Sequence, residues 1–109
     1  MIQLSANTTI LLATQPADFR NGIDGFAAMC RQLLQQNPQS GTVFVFINKR
    51  KTMIRALHYD GNGFWLMTKR LSKGRFQYWP RSTTDMSAMQ AKELRQLLMN
   101  AEKIKSLKI

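Results

Sequence analysis

The sequence predicts an α+β domain, an antiparallel β-meander of about four to five strands with two helices packed on one face. Three observations predict it. Runs rich in β-branched and aromatic residues recur at 42–47, 52–59, 64–71 and 75–79. Between them lie glycine-bearing turns, "DGNG" at 60–63 and "SKG" at 72–74, which supply the positive-φ conformations that tight hairpins need. On either side, apolar residues recur every three or four positions, as on one face of a helix.

Taken in order, "TTILLAT" (8–14) reads as a short strand stopped by Gln15-Pro16, and "ADFRNGIDG" (17–25) as a loop entering a helix. Asp24 is the expected N-cap, since its carboxylate can accept from the unpaired N–H groups of the first turn. The helix "GFAAMCRQLLQQN" presents Phe26, Met29, Cys30, Leu33 and Leu34 on one face and is expected to end at Asn37-Pro38. "TVFVFI" (42–47) is apolar on both alternating faces, as a strand deep in a sheet should be. After the turn "NKRK" (48–51), strands at 52–59, 64–71 and 75–79 complete the meander, and Pro80 stops pairing. Ser87 with Gln90 suggests a capping box for a second helix through residue 107, with Leu94, Leu97, Leu98, Ala101 and Ile104 on its apolar face. Lys103, Lys105 and Lys108 suit the negative end of that helix's dipole.

A chain of 109 residues predicts one domain, with a core at 8–80 and the C-terminal helix at 87–107. Its 44% hydrophobic and 20% charged composition is that of a globular protein. Sixteen Lys and Arg against six Asp and Glu give a net charge of +10, a field that draws polyanions. Nucleic acid is the first expected partner and an anionic membrane surface the second. Cys30 is the single cysteine, which excludes an intramolecular disulfide and fits a reducing, cytoplasmic setting. The apolar run at 10–13 is too short for a signal peptide, and nothing approaches the ~20 apolar residues of a membrane span.

Successive turns of a meander alternate between the two ends of the sheet. The turns at 48–51 and 72–74 should therefore share one end, with "DGNG" at the other. Lys49, Arg50, Lys51, Lys69, Arg70, Lys73 and Arg75 fall in or beside the first two, and Arg55 and Arg81 are second-tier candidates. Residues 49–81 hold nine basic side chains and one acid, Asp60, which belongs to the opposite turn. A domain needing only solubility intersperses its signs; one-signed turns point to phosphate contacts. Most of the aromatics are expected in the core, with Trp79, beside Pro80, the most exposed.

Catalysis is not expected. His58 and Cys30 are the only soft ligands, one on a strand and one on a helix face, so no metal site is predicted. His58 reads as a strand residue with a local hydrogen bond. Asp18 and Asp85 alone are too few for a two-metal phosphoryl-transfer site. No phosphate-cradling glycine loop, nucleophile elbow or Cys-x-x-Cys occurs. Neither a cofactor nor a small-molecule substrate is expected.

"FRNGIDGFAAM" (19–29), "SGTVFVFINKRK" (40–51) and "YDGNGFWLMTKRLSKGRFQYWP" (59–80) together resemble the TnpB accessory proteins encoded by the second open reading frame of insertion-sequence-66 elements. The Gly-Ile-Asp-Gly turn, the Phe-Val-Phe strand and Lys-Arg-Leu-x-Lys-Gly-Arg-Phe carry the likeness, which covers roughly 8–80. Asn21 stands where the family usually has a basic residue, and Ser72 replaces a usual acid, making the rim more positive. The resemblance implies a bacterial protein that assists transposition beside a separate transposase, and it brings no catalytic residues with it. These proteins share only a name with the far longer RNA-guided TnpB nucleases. Expected partners are therefore nucleic acid, DNA before RNA, and the transposase or other element-encoded proteins, with homodimerisation left open. The alternatives are a protein–protein adaptor working through the C-terminal helix without touching DNA, and a small nuclease or RNA-processing enzyme using His58 with nearby arginines.

Overall fold

The computed structural model describes residues 4–100. Within them lie β1 (Ile10–Ala13), α1 (Ile23–Gln32), β2 (Val43–Ile47), β3 (Met53–Tyr59), β4 (Phe64–Arg70), β5 (Met86–Met89) and α2 (Ala91–Leu98). The five strands form one sheet in the order β4-β3-β2-β1-β5. The α+β class is as expected, but the sheet is mixed. The crossover through α1 returns the chain to its starting end, so β2 runs parallel to β1 with Leu11 opposite Phe44. From β2 to β4 the chain is an antiparallel meander.

β2 is buried on both faces and divides the core in two. Phe44 and Phe46 meet Phe26, Ala27 and Cys30 of α1. Val43, Val45 and Ile47 meet Ala91, Leu94 and Leu97 of α2 together with Phe76 and Trp79. The helices therefore cover opposite faces of the sheet rather than one, because each face of a doubly buried strand needs its own apolar cover.

Three expected elements differ. Residues 75–79 are not a strand: Gly74 turns at φ +78°, and Phe76 and Trp79 then plug the core beside α2 from an irregular segment. That burial uses the aromatics three residues apart, which alternating strand geometry cannot do. The fifth strand is instead 86–89, antiparallel to β1 with Leu11 opposite Ala88, so Ser87 pairs in a sheet and caps nothing. The capping box sits three residues later, where the Gln90 N–H donates to Glu93 Oε1 at 3.2 Å.

α1 begins behind Gly22 with no side-chain cap, and Asp24 lies inside its first turn, where a negative charge still favours the dipole. It ends at Gln32, short of Asn37: the Gln36 N–H folds back to Cys30 O at 2.9 Å, with Gln35 at φ 54°. The expected helical positions from Ala101 to Lys108 lie outside the described residues.

Candidate nucleic-acid interface

The turn after β2 is held by Asn48. Its buried carboxamide oxygen accepts from the N–H groups of Thr52 at 2.9 Å and Met53 at 3.0 Å, and its amide donates to Thr52 Oγ1 at 3.0 Å. Lys51, at φ 60°, donates its N–H to Asn48 O. One amide side chain thus meets the polar demands of the turn, and Lys49, Arg50 and Lys51 project into solvent.

The second turn is hydrogen-bonded to the first. Leu71 N–H donates to Thr52 O at 3.0 Å, and Phe76 N–H donates to Lys51 O at 2.7 Å. Met53 pairs with Arg70 and Ile54 with Lys69. Lys49, Arg50, Lys51, Lys69, Arg70, Lys73 and Arg75 are therefore gathered at one end of the sheet, and all seven are exposed. Strand alternation sends Lys69 and Arg70 to opposite faces, so the ridge wraps around edge strand β4. Asn100 fixes the far side of the second turn, donating to Arg75 O at 2.9 Å and accepting from Gln77 N–H at 3.0 Å. Arg81 lines a small cleft with Lys51 and Trp79, which extends the same basic end.

Arg55 does not join them. Its Nε donates to Thr68 Oγ1 at 2.8 Å, and its Nη1 to the carbonyls of Phe19 at 2.7 Å and Asn21 at 3.0 Å. The guanidinium also lies 4.9 Å from the Phe19 ring centroid. Arg55 is a strut that fixes the 17–22 loop against the sheet. Asn21 helps it, donating its side-chain amide to Asp18 O at 3.1 Å.

That loop brings a carboxylate which hairpin reasoning missed. Ala17 N–H donates to Ile47 O at 2.8 Å, extending the parallel pairing of β1 and β2, and this sets Asp18 near Lys49. Asp18 is occupied by Arg20, whose Nη2 reaches Oδ2 at 2.6 Å and whose Nε reaches Oδ1 at 3.0 Å. Hydrogen bonds from the Arg20 side chain and backbone N–H, reinforced by the charges of Arg20 and Lys49, hold its carboxyl down at about 2. Among the described residues this is the one ion pair, and none of the seven ridge cations has a carboxylate partner. Asp18, Arg20, Lys49, Arg50 and Arg70 border an open cleft of about 610 Å³.

Trp79 is not the exposed aromatic. It is 8% exposed and its Nε1 donates to Ala13 O at 3.0 Å, whereas Trp65 on β4 is 45% exposed with Nε1 donating to Asp60 Oδ2 at 2.7 Å. Cys30 is fully buried, and burial pushes its thiol up to about 12. His58 stands opposite Trp65 on β3, and its buried Nδ1 has no hydrogen-bond partner, contrary to the local bond expected for it. No helix among the described residues is long and apolar enough to cross a membrane.

Residues 8–108 match the family described as IS66 Orf2-like protein, TnpB of IS66. Two relatives come from Sinorhizobium fredii (strain NBRC 101917 / NGR234). The uncharacterized protein y4jC is 41% identical over 80 residues, covering 73% of this chain and 68% of the relative. The uncharacterized protein y4hO is 33% identical over 98 residues, covering 90% and 84% respectively. No solved structure matches. The chain belongs to the IS66 Orf2-like family, the TnpB proteins with an accessory role in transposition.

Proposed function

We propose that the chain serves transposition as a DNA-binding accessory factor in the bacterial cytoplasm. In this reading the ridge of Lys49, Arg50, Lys51, Lys69, Arg70, Lys73 and Arg75 grips backbone phosphates. The observation that carries it is the pair of hydrogen bonds, Leu71 to Thr52 and Phe76 to Lys51, that merges two basic turns while leaving their cations exposed. Contacts of this kind position a protein on the duplex and read little sequence. The strand-transfer chemistry belongs to the separate transposase. In keeping with that division, Asp18 is committed to Arg20, and the Cys30 thiol is sealed in the core.

Mobility shifts with element-end DNA across a salt series test the proposal. If about six phosphates are neutralised, the log–log slope of affinity against salt is about −5. Affinity left intact by replacing Lys49, Arg50, Lys51 and Lys73 with Ala would refute it. A second reading, a transposase adaptor that never touches DNA, draws support from Trp65 standing exposed on edge strand β4. Salt-insensitive capture by purified transposase without DNA, lost on Trp65→Ala, favours that reading.

A further inference from the structure

The cleft between the 17–20 loop and the Asn48 turn combines two chemistries. Arg20, Lys49, Arg50 and Arg70 line it with cations, and Ala17, Phe19 and Met53 line it with apolar residues. A ridge that only tracks a duplex backbone needs cations and no apolar recess beside them. The volume of about 610 Å³ falls in the roughly 300–1,000 Å³ range of small-ligand sites. Both walls are braced. Phe19 is held edge-on against Phe26 at 5.5 Å and beneath Arg55 at 4.9 Å, and Met53 is fixed in the β3–β4 ladder opposite Arg70. Asp18, which also lines the cleft, is paired with Arg20 through two hydrogen bonds that offset its negative charge.

We infer that this cleft seats one unpaired nucleotide, its base and sugar against Phe19, Met53 and Ala17 and its phosphate among Lys49, Arg50 and Arg70. A base inside a duplex is stacked and cannot enter, so the occupant is a nucleotide from a single-stranded tail or one turned out of the helix. The neutral polar side chains of the recess are largely engaged with the turn itself. Asn48 and Thr52 bond one another, and the Asn48 oxygen holds two backbone N–H groups. The site therefore takes a base mainly through its π-face and apolar contact, with little reading of its edges.

The cleft's place on DNA rests on the DNA-binding reading above, but its nucleotide chemistry can be measured alone. In the first arm the full chain, with labelled Met methyl groups and Phe rings, is titrated by NMR with deoxyadenosine monophosphate, deoxycytidine monophosphate or inorganic phosphate. Both nucleotides should shift the Met53 methyl and Phe19 ring signals and bind about tenfold more tightly than phosphate. Equal affinity for phosphate with the same shifts would reduce the cleft to an anion patch and overturn the inference. In the second arm, anisotropy compares a blunt duplex with the same duplex carrying a short single-stranded tail. The tailed form should bind about five- to tenfold more tightly, and Ala17→Leu, which narrows the recess without altering charge, should bring that ratio to about one. Equal binding of both duplexes by the unaltered chain overturns the cleft and leaves the ridge standing. Nucleotide shifts at Met53 with no duplex bound overturn the ridge and leave the cleft.

Discussion

The two ends of the sheet are built from turns of similar length and opposite chemistry. At the 60–63 end, Asp60 is consumed locally: its carboxylate accepts from Trp65 Nε1 at 2.7 Å and from the Asn62 N–H at 3.4 Å, and Gly61 turns at φ +108°. At the other end the polar bonds of the two turns are made by a neutral residue, Asn48, and by main chain, so none of the seven ridge side chains is needed to hold those turns. A charge that a turn uses is structural; a charge that a turn can do without is available to a partner. Arg55 shows the distinction within the basic region itself, because its guanidinium is already spent on three hydrogen bonds.

The largest expected effect comes from breaking this contrast directly. Replacing Lys49, Arg50, Lys51 and Lys73 together with Ala should cost duplex affinity about three orders of magnitude near 0.1 M salt and flatten the salt slope by about 4. Thermal stability should barely change, since none of the four has an ion-pair partner among the described residues. Asp60→Lys, which adds a cation at the other end, should change duplex affinity by no more than a few-fold.

Asn48→Ala comes next and separates geometry from charge. It removes one side chain's bonds to two backbone N–H groups and to Thr52, leaving part-buried donors unpaired, and should destabilise by about 1–3 kcal/mol in urea titration. Duplex affinity should fall with it although no charge is lost. Arg55→Ala should also destabilise, by about 1–3 kcal/mol, through release of the 17–22 loop. Its salt slope should stay near that of the parent, which would distinguish a strut from a phosphate contact.

The smallest effect is the pH dependence. The folded-state pKa of Asp18 is lowered from 3.8 to about 2, chiefly by its Arg20 hydrogen bonds. A depressed carboxyl contributes stability above its unfolded pKa and loses it as pH falls through the folded value. The Tm should therefore drop slightly between pH 4 and pH 2, and Asp18→Asn should remove that part of the drop. Asp60, lowered by its Trp65 hydrogen bond, should add a separate component that Asp60→Asn abolishes.

β2 to β4 and the basic end were legible in the sequence because they depend on local signals. Alternating apolar residues and the Asp60-Gly61 turn set the β3–β4 hairpin, and that hairpin brings 48–51 to 72–74. The rest depends on contacts distant in sequence. The Ala17–Asn48 bridge that delivers Asp18 needs the parallel β1–β2 pair, which no local pattern announces. At 86–89, "MSAM" lacks β-branched residues, and the Ser87–Gln90 spacing imitates a helix cap, so its pairing with β1 is invisible without that neighbour. Phe76 and Trp79 have strand-like side chains, yet the open core beside α2 takes both from one side. Asn48 could have been found, since an asparagine before a short turn can bond the backbone ahead of it.

The most direct test of the central claim is lysine acetylation of the full chain with and without saturating duplex, read by mass spectrometry. Lys49, Lys51, Lys69 and Lys73 should be protected several-fold, while exposed Lys92 on α2 should react as before. Undiminished reactivity at those four lysines, or equal protection of Lys92, would contradict a binding surface confined to the basic end of the sheet.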